Sequence, residues 1–150
     1  MANGVVIMQR RLKWCYENID MVIDKELLDA LTEEAKRSPR LRMNYDLRSS
    51  SADTSQRMLN AIEPGSVVPI HRHKRTSETV VVLRGRVVEE YYDDAGKCYE
   101  RVEIAPCSSV CALNIPAGTW HTLRSIESGT VILEMKDGAY EPIKPEDILD

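Results

Sequence analysis

The chain has 150 residues, enough for one domain with a substantial core and too few for a second of similar size. Its 20 basic and 24 acidic residues are interspersed and leave a net charge of −4; with 5% aromatic residues and no Phe, it offers neither the electrostatic footprint nor the stacking platform that nucleic acid requires. No run approaches the roughly 20 apolar residues that span a bilayer, and the opening MANGVVIMQRRLKW puts a short apolar patch before its charges, the reverse of a signal peptide, so a cytoplasmic protein is expected.

Residues 1–20 have no clear period and read as an N-terminal extension. Two readings stand side by side: a start assigned too early, or a strand in IMQRRLKWCY that pairs with a sheet edge or a partner subunit. The domain proper is expected over 21–150 and begins with a flanking helix over 24–37. Asp24 can cap it, Leu27, Leu28, Leu31 and Ala35 form an apolar stripe at helical spacing, and Ser38-Pro39 stops it. Residues 40–53 are polar, with Arg40, Arg42, Asn44, Tyr45, Arg48 and a run of serines, and read as a loop.

After that loop the period changes to two. Strands are predicted over 56–63, 67–73, 78–83, 86–92, 98–104, 110–115, 121–125 and 130–135, separated by turn chemistry such as Pro64-Gly65, Asp93-Asp94-Ala95-Gly96 and Pro116-Ala117-Gly118. Short strands in such density, with no helix between them, indicate an antiparallel double sheet or barrel. The strand Glu78-Thr79-Val80-Val81-Val82-Leu83 is largely apolar on both faces, so its outer face needs a cover. The helix or a second subunit can supply it; a homodimer is the preferred expectation, with a monomer open. The four cysteines, Cys15, Cys98, Cys107 and Cys111, do not form a disulfide framework. Cys107 and Cys111 would project about 13 Å apart on a strand, so they read as thiols and not as a zinc pair.

The chemistry gathers in GSVVPIHRHKRTSETVVVLRG, from Gly65 to Gly85. His71 and His73, at i and i+2, leave the same face of an extended strand and can share a metal ion, while Arg72 points the other way. Four polar residues separate His73 from Glu78, enough for a connection that brings the glutamate back to the same neighbourhood. The third and last histidine, His121, follows the turn in IPAGTWH. Trp120 alternates with it and is expected to face away, into packing.

With these residues the chain resembles the cupin superfamily. The first cupin motif, G-x5-HxH-x4-E-x6-G, is met by Gly65, His71, His73, Glu78 and Gly85. The second, G-x5-PxG-x2-H-x3-N, is met by Pro116, Gly118 and His121, with Val110 in place of its Gly and Ser125 in place of its Asn. The resemblance implies an all-β fold, the cupin double-stranded β-helix or jelly-roll barrel, here with a short N-terminal helix. It also implies a metal site formed by His71, His73, Glu78 and His121. Three imidazoles and a carboxylate suit one divalent transition metal ion, whether Zn, Fe, Mn, Ni, Co or Cu. If all four bind, a tetrahedral ion is saturated, whereas an octahedral ion keeps two positions for water or substrate.

More narrowly, SPRLRMNYDL, QRMLNAIEPGSVVPIHRH, ETVVVLRG, IPAGTWHTL and EMKDGAY are similar to the WbuC family of cupin-fold metalloproteins, over residues 23–142. Members lie near genes for surface polysaccharide synthesis and have no settled activity. They often carry an aromatic where this chain has Ser77.

Arg40, Arg42, Asn44 and Arg57 can donate to a carboxylate or phosphate at a pocket mouth, against the alternative of solvated charge. Lys136 and Tyr140 are further candidates for ligand contact, against a salt bridge and a packed ring. The functional expectation is a metal-binding cupin that acts on or binds a small polar molecule linked to surface polysaccharide or sugar metabolism. As an enzyme it would be a metal-dependent isomerase or epimerase, a hydrolase or an oxygenase. The alternatives are a non-catalytic binding or sensor module with a structural metal, and a metal-independent sugar epimerase of the same fold.

Overall fold

The computed structural model describes residues 21–149, so both readings of residues 1–20 lie outside it. Helix α1 (Lys25–Arg37) begins where its cap allows: the Asp24 carboxylate accepts from the Leu27 N–H at 3.0 Å. At the other end the Ser38 N–H is taken by the carbonyls of Glu34 and Ala35, and Pro39 follows. The predicted stripe is the buried face, with Leu31 and Ala35 packed against Leu59, Ala61 and Val131 of the strands beneath.

Those strands are β1 (Arg42–Asp46), β2 (Gln56–Ile62), β3 (Ile70–His71), β4 (Glu78–Arg84), β5 (Val87–Tyr92), β6 (Cys98–Ile104), β7 (Ala112–Ile115), β8 (Trp120–Ser125), β9 (Thr130–Lys136) and, after a 3-10 turn, β10 (Ile148–Leu149). They pair antiparallel in two five-stranded sheets, ordered β1-β2-β9-β4-β7 and β10-β3-β8-β5-β6. Ile62, Val80, Val82, Ile115 and Ile132 of the first sheet meet Val87, Ile104 and Leu123 of the second in one core. This is the all-β jelly roll with one short helix that the motifs imply.

One predicted loop is in part a strand. Residues 40–53 contain β1, which pairs with β2 from Arg42↔Ile62 to Asp46↔Met58. Its alternation is real but has the polar side inward: Met43 and Tyr45 pack under α1, while Arg42 and Asn44 line a cavity between the sheets. On the outer face of β4, Leu83 at the strand's end belongs to the helix-side cluster, so α1 covers that end of the strand. The same junction is clamped by Arg84, whose guanidinium donates to the Leu28 carbonyl, Thr32 Oγ1, Asp29 Oδ1 and the Gly129 carbonyl at 2.5–3.0 Å.

Candidate metal centre

The strand register brings the histidines together. His71 of β3 is directly opposite His121 of β8, and their ring centroids are 4.5 Å apart. His73 follows two residues on, with centroids 5.0 Å from His71 and 5.8 Å from His121. Glu78 enters from the other sheet as the first residue of β4, between Ile115 and Lys136, and shares its inward face with Val80 and Val82. One ligand atom from each of His71, His73, Glu78 and His121 lies within 4.8 Å of the others, a group that can hold a metal ion.

Hydrogen bonds around the group orient it. Nδ1 of His71 is 2.9 Å from the Pro69 carbonyl and Nδ1 of His121 is 2.8 Å from the Thr119 carbonyl. A carbonyl only accepts, so in each neutral ring the proton sits on Nδ1 and Nε2 carries the lone pair. His73 Nε2 and His121 Nε2 stand 3.1 and 3.6 Å from Glu78 Oε2, yet among the described residues none of these three atoms has a hydrogen-bond partner, and all are buried. Buried polar atoms that converge without a hydrogen bond between them are unfavourable unless a cation is shared among them, and the nearest cation of the chain, the Lys136 ammonium, approaches only Glu78, at 3.4 Å. The donor set therefore fits a divalent transition metal.

The charge states agree with ligation. Burial and the nearby His121 lower the His71 pKa to about 4, so its ring is neutral at pH 7. Burial works against ionisation of Glu78, but contacts with His121 and His73 and the charge of Lys136 outweigh it and hold the carboxyl well below its ordinary value. Lys136 is buried too; Glu134 and Glu78 overcome the burial and raise its pKa, so it remains an ammonium.

All four residues line a cavity of about 490 Å³ that also meets Arg40, Arg42, Asn44, Lys136 and Tyr140. Five of the six predicted ligand-contact residues are thus brought to one space. Arg57 is not. Alternation along β2 sends Met58, Asn60 and Ile62 into the cavity and Arg57 to the opposite face, where its guanidinium pairs with Asp53 at 2.7 Å. Arg42 donates to the Val67 carbonyl, and burial together with its neighbour Arg40 lowers its pKa. Among the described residues neither arginine is paired with a carboxylate. Tyr140 is half exposed, with the Arg48 guanidinium 5.5 Å from its ring centroid.

Asn60, Glu89 and Glu134 are among the lining residues that escaped sequence reasoning. Glu134 pairs with Lys136 and accepts from Asn60 Nδ2 at 2.8 Å. The available signal was phase, since Glu134 alternates in step with Ile132 and Glu89 in step with Val87, both core residues. Trp120 faces away from His121 as predicted; its Nε1 donates to Asp94, and the Arg72 guanidinium lies 4.2 Å above its ring. Among the described residues Cys98, Cys107 and Cys111 are free thiols.

The family model of a domain of unknown function, DUF6016, matches residues 23–104, a stretch that holds His71, His73 and Glu78 and ends before His121. No curated protein matches the sequence. Among solved structures, an oxalate oxidase in complex with glycolate is similar with a TM-score of 0.57 and 16% identity over 71% of this chain, which spans 56% of that one. KdgF from Halomonas sp. is similar at a TM-score of 0.54 and 15% identity, covering 69% of this chain and 84% of KdgF. An oxalate decarboxylase from Bacillus subtilis, a protein with Mn(II) centers, is similar at a TM-score of 0.52 and 17% identity, over 67% of this chain and 26% of that one. At such identities the likeness is one of fold, and the fold shared is that of the cupins.

Proposed function

The chain belongs to the DUF6016 family, a domain of unknown function, and from that premise we propose that it is a cupin that binds one divalent transition metal ion and takes a small oxygen-rich molecule into the cavity beside it. The carrying observation is the set of buried, unpartnered atoms His73 Nε2, His121 Nε2 and Glu78 Oε2, turned toward one another beside His71. His71, His73, Glu78 and His121 would hold the ion, which when bound supplies a Lewis acid that polarises a ligand oxygen or acidifies water.

The rest of the chemistry belongs to side chains. Lys136 holds Glu78 ionised from 3.4 Å, which draws part of the carboxylate's charge away from the histidines. That competition supports a Glu78 that can loosen and leave a coordination position for the ligand. Arg40 and Arg42, without carboxylate partners among the described residues, suit an anionic group on the same molecule. A metal-dependent enzyme is the reading this arrangement favours. The finer link to surface polysaccharide or sugar metabolism rests on the segments similar to the WbuC family.

Elemental analysis of the full chain purified without added metal, followed by X-ray absorption, tests the reading. The expected result is one divalent transition ion per chain with at least one ligand that is not protein; Mn is a reasonable first ion for reconstitution. A chain that retains no metal and takes none up on titration with Mn, Fe, Co, Ni, Cu or Zn overturns it. Zinc enclosed by four protein ligands would count against catalysis.

A further inference from the structure

Glu89 lies in mid-strand on β5 with its side chain on the inward face, in phase with Val87 of the core and with Tyr91. It is 0% exposed, it lines the same cavity as the histidines, and both of its carboxyl oxygens are buried without a hydrogen-bond partner among the described residues. Its neighbour Glu90 makes the contrast: on the outer face, that carboxylate accepts from Arg101, Arg124 and Tyr92. An unpartnered buried carboxyl destabilises a fold, and an apolar residue at position 89 would pack without that penalty. A buried carboxyl of this kind calls for a partner that the neighbouring side chains do not supply.

The surroundings define what that partner must be. Burial and the charges of Glu78, Glu134 and Glu90 push the Glu89 pKa well above its ordinary value and favour the protonated acid. A protonated carboxyl presents one O–H donor beside one carbonyl acceptor, a pair that matches an alcohol hydroxyl. The same cavity holds Arg40 and Arg42, which call for a negative group.

We propose that Glu89 is a ligand-contacting residue and that the cavity takes a small polyhydroxylated anion, a hydroxyl of which meets Glu89 while its carboxylate or phosphate meets Arg40 and Arg42. This deepens the reading above and rests on it for the cavity being a ligand site. It does not depend on which ion is bound.

Isothermal titration calorimetry on the full chain, metal-loaded and again after chelation, tests it with four probes: D-gluconate, glucose 6-phosphate, sorbitol and propionate. One of the two polyhydroxylated anions is expected to bind at least about ten-fold more tightly than sorbitol, which lacks the charge, or propionate, which lacks the hydroxyls. Which of the two binds separates a carboxylate from a phosphate. Glu89→Leu should weaken that probe by about ten-fold or more, while Glu89→Gln, which keeps a neutral donor and acceptor, should weaken it by less than about three-fold. Both variants should keep the wild-type metal content and melt at or above the wild-type temperature.

If neither anion outbinds the two controls, the ligand class is wrong. Undiminished affinity in Glu89→Leu overturns the role of Glu89. Loss of metal from both variants makes Glu89 a metal ligand, and lower melting of both makes it a structural residue; either result defeats the proposal. A wild-type chain that binds no metal, yet whose probe binding still depends on Glu89, defeats the metal reading and supports this one.

Discussion

Lys136 Nζ lies 3.4 Å from Glu78 Oε2 and is at the same time paired with Glu134, so one buried ammonium serves a candidate metal ligand and a second carboxylate. Glu134 is held on its other side by Asn60. Removing the shared cation leaves Glu134 buried with Asn60 but without an ionic partner, and breaking a buried ion pair from one side costs about 3 kcal/mol. Lys136→Met should therefore lower stability in urea unfolding by about that amount, and Lys136→Met with Glu134→Gln should recover part of it. Metal content should persist in both, because the four convergent ligand atoms remain. A single variant as stable as wild type would show that the ammonium is not needed to satisfy Glu134.

His73→Ala removes one of the four convergent ligand atoms and should lose most bound metal in elemental analysis. Arg57→Ala is the control from the same part of the sequence. Its guanidinium pairs with Asp53 on the opposite face of β2, so metal content and probe binding should match wild type. Equal stoichiometry in wild type and His73→Ala would remove His73 from the ligand set.

The site was legible where side-chain period and spacing coincide. His71 and His73 on one face, and Glu78 at the start of the next strand, follow from alternation and a short connection, and the ladder His71↔His121 depends on strands the sequence announces by their Val and Ile content. Boundaries blurred where side chains replace the ladder. The strand expected over 67–73 pairs only at Ile70–His71: Pro69 has no N–H, the Val67 carbonyl accepts from Arg42, and the Val68 carbonyl accepts from Thr122 Oγ1. Residues 42–46 and the glutamates at 89 and 134 were obscured for a shared reason. A polar residue in a strand reads as solvent-facing, and here Arg42 and Asn44 of β1, Glu89 of β5 and Glu134 of β9 turn inward because the cavity, not solvent, receives them.

Acid should destabilise the metal-free protein through His71. Its folded pKa is lowered from 6.5 to about 4, first by burial and then by His121, so between those values the unfolded chain binds the proton that the folded chain rejects. The full His71 contribution is present above pH 6.5 and is lost as pH falls toward 4. The whole window is worth about 3 kcal/mol. Urea unfolding of chelated protein at a series of pH values should show this loss, and His71→Asn should flatten it. An equal slope in the variant would assign the acid sensitivity to other groups.

Gly85, the last glycine of the first motif, has φ +81° and sits where a Cβ would lie 2.6 Å from the Thr130 Cα. The neighbouring atom is backbone of β9, and Thr130 is fixed there: its Oγ1 accepts from the Arg86 N–H and donates to the Glu127 carbonyl. Neither chain can step aside without breaking that turn. Gly96 has φ +76° but open space around it, so an alanine there bears only the left-handed backbone cost, about 1 kcal/mol. Gly85→Ala adds a backbone clash to that cost and should destabilise by at least about 3 kcal/mol. Equilibrium unfolding of the two variants separates the effects, because they share a backbone conformation and differ in space. Equal losses would mean that the approach of Thr130 to Gly85 is not what the motif glycine is there to allow. A larger loss at Gly85 would tie that glycine to the junction of β4, β5 and β9, the strands that carry Glu78, Glu89 and Lys136 into the cavity.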